Sequence, residues 1–130
     1  MKDFKGYFII KSPPEEVYMA ITNQKSLELW TGDPAEMEAV PDTEFSLWDG
    51  SICGKNLEFE ENAKVVQQWY FGEQEEPSIV TLIMHEHKKG TSLEIRHTNI
   101  PDDDYEDFSE GWKDSYVAGL LDFLEDAGEE

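Results

Sequence analysis

Cysteine occurs once in these 130 residues, at Cys53, so no disulfide can form within the chain. Positive charge is also scarce. Lys and Arg number 10 against 30 Asp and Glu, a net charge of −20. A surface of that sign repels nucleic acid and anionic membranes, and neither is an expected partner. No apolar run is long enough to cross a bilayer, and Met1-Lys2-Asp3-Phe4 opens no signal-peptide hydrophobic stretch. A cytoplasmic protein is the expectation. The sequence also lacks a phosphate-cradling glycine loop and a nucleophile-elbow pattern. Carboxylates are so plentiful that a pair at any chosen spacing carries no information. The reading is therefore a protein without a catalytic motif, a cofactor or a metal.

What is present points to one globular domain spanning residues 1–130, because a hydrophobic share of 38% and an aromatic share of 12% can build a core. Phe4 to Lys11 reads as a first strand. Ser12-Pro13-Pro14 then opens a helix, with Ser12 as cap, Pro13 in the first helical position and Glu15 closing a capping box. Val17, Tyr18, Ala20 and Ile21 give that helix its apolar side. Asn23 caps a short second helix carrying Leu27, Leu29 and Trp30, which Gly32 stops. From there the period becomes two. A weak strand is expected near Ala35–Val40, then Thr43–Trp48, a turn at Asp49-Gly50, Ser51–Glu60, a turn at Glu61-Asn62, and Lys64–Phe71. Gly72–Pro77 reads as an acidic loop. Ser78–His87 and Thr91–Asn99 form a hairpin around Lys89-Gly90, with Leu93, Ile95, His97 and Asn99 on one face and Glu94, Arg96 and Thr98 on the other.

Asp103 to Ala127 reads as one long amphipathic helix. Tyr105, Phe108, Trp112, Tyr116, Phe123 and Ala127 form its apolar stripe, with Asp107, Glu110, Asp114, Asp122 and Glu125 opposite. Ile100-Pro101 disfavours an earlier start, and Asp103 with Glu106 forms a capping box. Gly119 interrupts the stripe, at a cost of ~1 kcal/mol relative to alanine. Either a neighbouring backbone approaches closely there, or the glycine leaves space in an aromatic wall. The predicted class is α+β: a curved antiparallel sheet wrapped around the long C-terminal helix, with two short helices after the first strand.

The order of elements, together with several local patterns, resembles the START-like helix-grip (SRPBCC) superfamily. More narrowly, it resembles the C-terminal domain of the activators of heat-shock-protein ATPase. The patterns are Pro14-Glu15-Glu16-Val17 with Ile21-Thr22 and Leu27-Glu28-Leu29-Trp30, then Phe45-Ser46-Leu47-Trp48-Asp49-Gly50-Ser51-Ile52-Cys53-Gly54 and Val65-Val66-Gln67-Gln68-Trp69. Gly90-Thr91-Ser92-Leu93-Glu94-Ile95, His97, Ile100-Pro101 and Gly111-Trp112 complete them. The resemblance implies a cavity between sheet and long helix, suited to a hydrophobic small molecule. It also implies kinship with proteins that bind the ninety-kilodalton heat-shock chaperone and stimulate its ATPase. Those proteins carry an additional N-terminal domain with its own asparagine- and tryptophan-rich motif, which this chain has no room for.

The leading expectation is a non-catalytic binding domain for a small apolar ligand. Its wall candidates are Trp69, Leu93, Ile95, His97, Trp112, Tyr116, Gly119 and Phe123. Trp69, Phe108, Trp112, Tyr116 and Phe123 either line such a pocket or are plain core. His97 is either a ligand-orienting acid–base group or a buried histidine bonded to backbone or to Tyr116. His85 and His87 have the spacing of two legs of a metal site without a third, or are simply exposed. Cys53, with nothing nearby to lower its pKa, reads as inert. The second expectation is a protein-interaction module with a chaperone partner, using the acidic clusters Asp102–Asp107 and Glu125–Glu130. The third is a cyclase- or hydrolase-like enzyme using His97. The sequence leaves the oligomeric state open.

Overall fold

The computed structural model describes residues 2–70 and 77–128, the side chains of 126–128 excepted. The expected acidic loop before Pro77, the strand end at Phe71, the side chain of Ala127 at the end of the stripe and the last residues of the Glu125–Glu130 cluster lie outside what is described. Among the described residues, no helix is long and apolar enough to cross a membrane.

Six strands form one antiparallel sheet: β1 (Lys2–Ile10), β2 (Glu44–Leu47), β3 (Ile52–Glu60), β4 (Lys64–Trp69), β5 (Ser78–His87) and β6 (Gly90–Ile100). Their spatial order is β1-β6-β5-β4-β3-β2. Two helices, α1 (Pro14–Thr22) and α2 (Gln24–Thr31), follow β1. The register places Gly6, Ile95 and Leu82 in one row and Phe4, His97 and Val80 in the next. Because side chains alternate, those rows put Leu82, Leu93, Ile95 and His97 together on the inner face, each fully buried. A register shift between Asn56 and Glu58 bends β3 against β4. The sheet curves around the C-terminal helix, as the alternation predicts.

Three local expectations need correction. The first helix begins at Pro14 with Pro13 as its cap residue and no side-chain cap bond. Ser12 is instead drawn into the core, where its carbonyl accepts from Thr91 Oγ1 at 2.7 Å. The expected strand at Ala35–Val40 is reduced to a single bridge between Glu36 and Ser46. The capping box at Asp103 does not form either. Asp102–Asp104 makes a short 3-10 turn, and α3 (Tyr105–Gly111) follows it without a side-chain cap bond. Asn23 does cap α2, its side chain accepting from the Ser26 N–H at 3.0 Å, and Gly32 ends that helix at φ 79°.

The long helix exists but is not a uniform α-helix. Between α3 and α4 (Ala118–Gly128) lies a π-helical segment, Trp112–Val117, in which the Ala118 N–H reaches the Lys113 carbonyl. A π turn holds extra backbone per revolution and shifts the phase of everything after it. Leu120 and Leu124 therefore face the core, while Gly119 and Phe123 are displaced from its centre. The stripe read as a regular 3.6 period holds to Tyr116 and then slips.

Candidate functional site

A cleft of about 430 Å3 opens at the junction of the C-terminal helix with the β2–β3 end of the sheet. Trp48 and Ser51 come from the β2–β3 turn, Ile52 from β3, and Trp69 from the end of β4. Phe108, Gly111, Trp112, Ser115 and Tyr116 come from the helix, and Asp33 and Asp107 complete the lining. The π segment presents Trp112, Ser115 and Tyr116 to this one space. The turn is wider than the expected Asp49-Gly50 pair: Trp48, Asp49 and Gly50 have φ of 51°, 52° and 87° in succession. A bulky residue at positive φ is strained. Here Trp48 is held by ring contacts to Trp30 and Tyr116, at 5.9 and 6.3 Å between centroids. The Asp49 N–H on the Pro34 carbonyl at 3.0 Å ties the turn to the segment after α2.

The floor of the cleft is fixed by buried polar bonds. Trp69 stacks on Trp112 at 4.9 Å, an offset ring pair worth ~1 kcal/mol beyond its area. Each indole N–H is bonded. Trp112 Nε1 donates to His97 Nδ1 at 3.1 Å, and Trp69 Nε1 donates to Gln67 Oε1 at 3.0 Å. Since an indole only donates, His97 Nδ1 must accept, which assigns the neutral ring with its proton on Nε2. That proton faces Ser78 Oγ at 2.7 Å, and Ser78 in turn donates to the Thr98 carbonyl at 3.0 Å. Burial lowers the His97 pKa to about 4, against an opposing pull from Asp3. The second chain runs from Gln67 Nε2 to Asn56 Oδ1 at 3.0 Å, and from Asn56 Nδ2 to Thr43 Oγ1 and the Glu38 carbonyl. With Asn56 and Gln67 almost fully buried, both chains hold their indoles rigidly.

Of the residues expected to line a cavity, Trp69, Phe108, Trp112 and Tyr116 do so. Leu93, Ile95 and His97 lie in the core away from the cleft lining, and Phe123 packs half-buried against that core. His97 bonds to Ser78 and Trp112 rather than to Tyr116. Gly119 leaves no gap in an aromatic wall. A Cβ there would stand 2.6 Å from Trp30 Cε3, so the glycine exists for the close approach of α2. On the same helix it is Gly111 that borders open space, where an added Cβ meets nothing within 4 Å. Sequence reasoning missed Gly111, Trp48, Asp33 and Asp107 as a group because three separate segments converge there. The one available signal was Gly111 itself, one turn after Phe108 on the apolar side.

The remaining candidates sit elsewhere. His85 Nε2 lies 2.8 Å from Glu94 Oε1, and His87 Nδ1 accepts from the Lys89 N–H. Glu94 also bonds Arg96 and is almost fully buried on the outer face. Burial raises its pKa, but the bonds from His85 and Arg96 outweigh that and hold it below the usual carboxylate value. Cys53 is half-buried with its thiol 3.4 Å from the Gly50 carbonyl.

A curved antiparallel sheet gripping a C-terminal helix, with an open cleft between them, defines a START-like helix-grip domain. Known proteins sharpen that class. The family described as Activator of Hsp90 ATPase homolog 1-like protein matches residues 11–125, and the chain belongs to that family. It is 31% identical over 103 residues to an activator of 90 kDa heat shock protein ATPase homolog from Dictyostelium discoideum, covering 77% of this chain and 27% of that protein. It is 28% identical over 109 residues to the human homolog 1, covering 82% and 32%. The chain thus spans about a third or less of these relatives' lengths. Among solved structures, an HSP90 activator from Plasmodium falciparum superposes with a TM-score of 0.83 at 26% identity, covering 91% of this chain and 92% of that one. A Mesorhizobium loti protein at 21% identity, with a TM-score of 0.83 and coverage of 95% and 97%, shares the fold.

Proposed function

We propose that this domain is a non-catalytic cytoplasmic receptor for a small apolar molecule, held in the cleft beside the π segment. The observation that carries the reading is the cleft's make-up. About 430 Å3 is walled chiefly by Trp48, Ile52, Trp69, Phe108, Trp112 and Tyr116. Small-molecule sites typically have ~300–1,000 Å3 and such mixed walls of apolar surface with few polar groups. The buried histidine behind the floor, His97, has both ring nitrogens engaged and lies outside the cleft lining, which favours binding over catalysis by that group.

The test fills the cleft from Gly111. Its φ of −62° is ordinary helix and its Cβ position is open, so Gly111→Leu adds bulk without strain. Native mass spectrometry of protein purified from its own cells should show a retained small molecule on the wild type and none on Gly111→Leu, with both folded by circular dichroism. Wild-type protein that retains nothing and takes up no apolar fluorophore would end the reading.

A second reading is favoured by family membership and by the likeness to the Plasmodium activator along nearly the whole chain. In it, the domain is an interaction module for a heat-shock chaperone, its exposed residues Asp102, Asp103, Glu106 and Asp107 meeting a basic surface. A salt-sensitive pull-down of the chaperone, with stimulation of its ATPase, is the expected result. The absence of both rejects this reading and leaves the cleft untouched.

A further inference from the structure

Tyr116 combines two properties that pull against each other. Its side chain lines the cleft, yet it is only 3% exposed, and no hydrogen bond reaches its hydroxyl from any described residue. Buried hydroxyls are almost always bonded, because leaving water without a replacement partner is costly. The neighbouring indoles show the contrast, since Trp69 and Trp112 each spend their N–H on a protein acceptor. Among the buried residues of this wall, Trp69, Trp112 and Tyr116, the tyrosine alone keeps its polar group unbonded to any described residue.

The charged lining adds a second, independent constraint. Its ionic side chains are Asp33 and Asp107, both exposed, and among the described residues no lysine or arginine lines the cleft or forms an ion pair with either. Aromatic walls attract cations through the negative faces of their rings, and carboxylates at the opening add to that attraction. A carboxylate or phosphate ligand would meet repulsion from both.

From these observations we infer that the cleft is built for a hydrophobic amine. Its apolar body lies between the indoles, a hydrogen-bonding oxygen or nitrogen on that body meets the Tyr116 hydroxyl, and its protonated nitrogen sits at the Asp33–Asp107 side. This rests on the receptor reading above and adds the charge and the inner polar contact of the ligand.

Three probes with one body separate the two ideas: a methoxynaphthyl ethylamine, its neutral N-acetyl derivative and the matching methoxynaphthyl propionate, each titrated by fluorescence. The amine should bind about ten-fold tighter than the propionate at low ionic strength, and the margin should narrow as salt is added. Asp33→Asn with Asp107→Asn should remove most of that margin while leaving the neutral probe unchanged. Glu15→Gln with Glu16→Gln, which alters net charge equally on exposed residues of α1, should leave the margin intact. Tyr116→Phe should weaken all three methoxy probes about five-fold and raise the unfolding temperature of the free protein. That opposite movement is one a purely structural tyrosine would not produce. Equal binding of the three probes overturns the amine inference and keeps the receptor. Binding of none overturns both. A Tyr116→Phe protein that binds as well as wild type removes the inner contact.

Discussion

Two glycines of the C-terminal helix, Gly111 and Gly119, lie eight positions apart and sit in opposite environments. Gly119 is pressed against Trp30, whose indole N–H is tied to the Ala20 carbonyl at 2.9 Å and whose ring meets Tyr116 at 5.1 Å. Gly111 faces the open cleft. One half of the helix is locked to α2 by close packing, and the other half leaves a space between itself and the sheet. The π segment lies between them and belongs to both. Its Tyr116 touches Trp30 on the packed side and lines the cleft on the other. A glycine that looks like a gap in sequence is therefore ambiguous, because absence of a side chain serves equally to admit a neighbour or to leave room.

The largest expected effect breaks the packed half. In Gly119→Leu the new Cβ would overlap the Trp30 ring, which is backbone-bonded and wedged between Trp48 and Tyr116. Relief requires moving α2, so stability should fall by about 3 kcal/mol, read from urea unfolding. Gly111→Leu, the same chemical change eight residues earlier, should lose none. Equal losses at the two sites would remove the distinction drawn here.

A smaller effect tests the polar floor. His97→Gln keeps an acceptor for Trp112 and a donor for Ser78 at imperfect geometry, and should cost about 2 kcal/mol at neutral pH. That cost depends on pH. His97 in the fold titrates near 4, against 6.5 for an ordinary histidine. Between those values the unfolded chain binds a proton that the fold does not, so wild-type stability falls as pH is lowered through the window. The glutamine variant lacks this term, and its deficit should shrink on going from pH 7 towards 4. Glu94, held below the usual carboxylate value, loses its own contribution at still lower pH in both proteins and cancels in the difference. A deficit constant across that range would contradict a neutral buried His97.

The sequence made the sheet legible because alternation is a strong signal wherever one face is buried. Leu93, Ile95 and His97 fall on the inner face as phased, and the order of elements was enough to recognise the helix-grip class. The cleft was legible only in part. Trp69, Trp112 and Tyr116 were found because each lies on a face that periodicity identifies. Trp48 sits in a left-handed turn that no alternation describes. Asp33 and Asp107 are exposed carboxylates in a chain that has 30 acidic residues, so nothing marks them before the fold brings them together. Phe123 falls off the cleft, and Gly119 off the centre of the stripe, for one reason. A regular helical period cannot anticipate a π turn, which shifts every later residue on the face.

The smallest effect sharpens the comparison most, because it concerns one methyl group. A mid-helix glycine lowers stability by ~0.5–1 kcal/mol relative to alanine where nothing else intervenes. At Gly111 nothing intervenes, so Gly111→Ala should stabilise the protein by that amount and raise its unfolding temperature by about 3 °C. At Gly119 the same propensity gain is present but the methyl stands 2.6 Å from Trp30 Cε3, inside any real contact distance. Gly119→Ala should therefore destabilise, the clash outweighing the gain. Differential scanning calorimetry of the two alanine variants then gives shifts of opposite sign within one helix. A rise in both would show that Trp30 yields easily and that α2 is not locked. A fall in both would place something against Gly111 and close the cleft on that side.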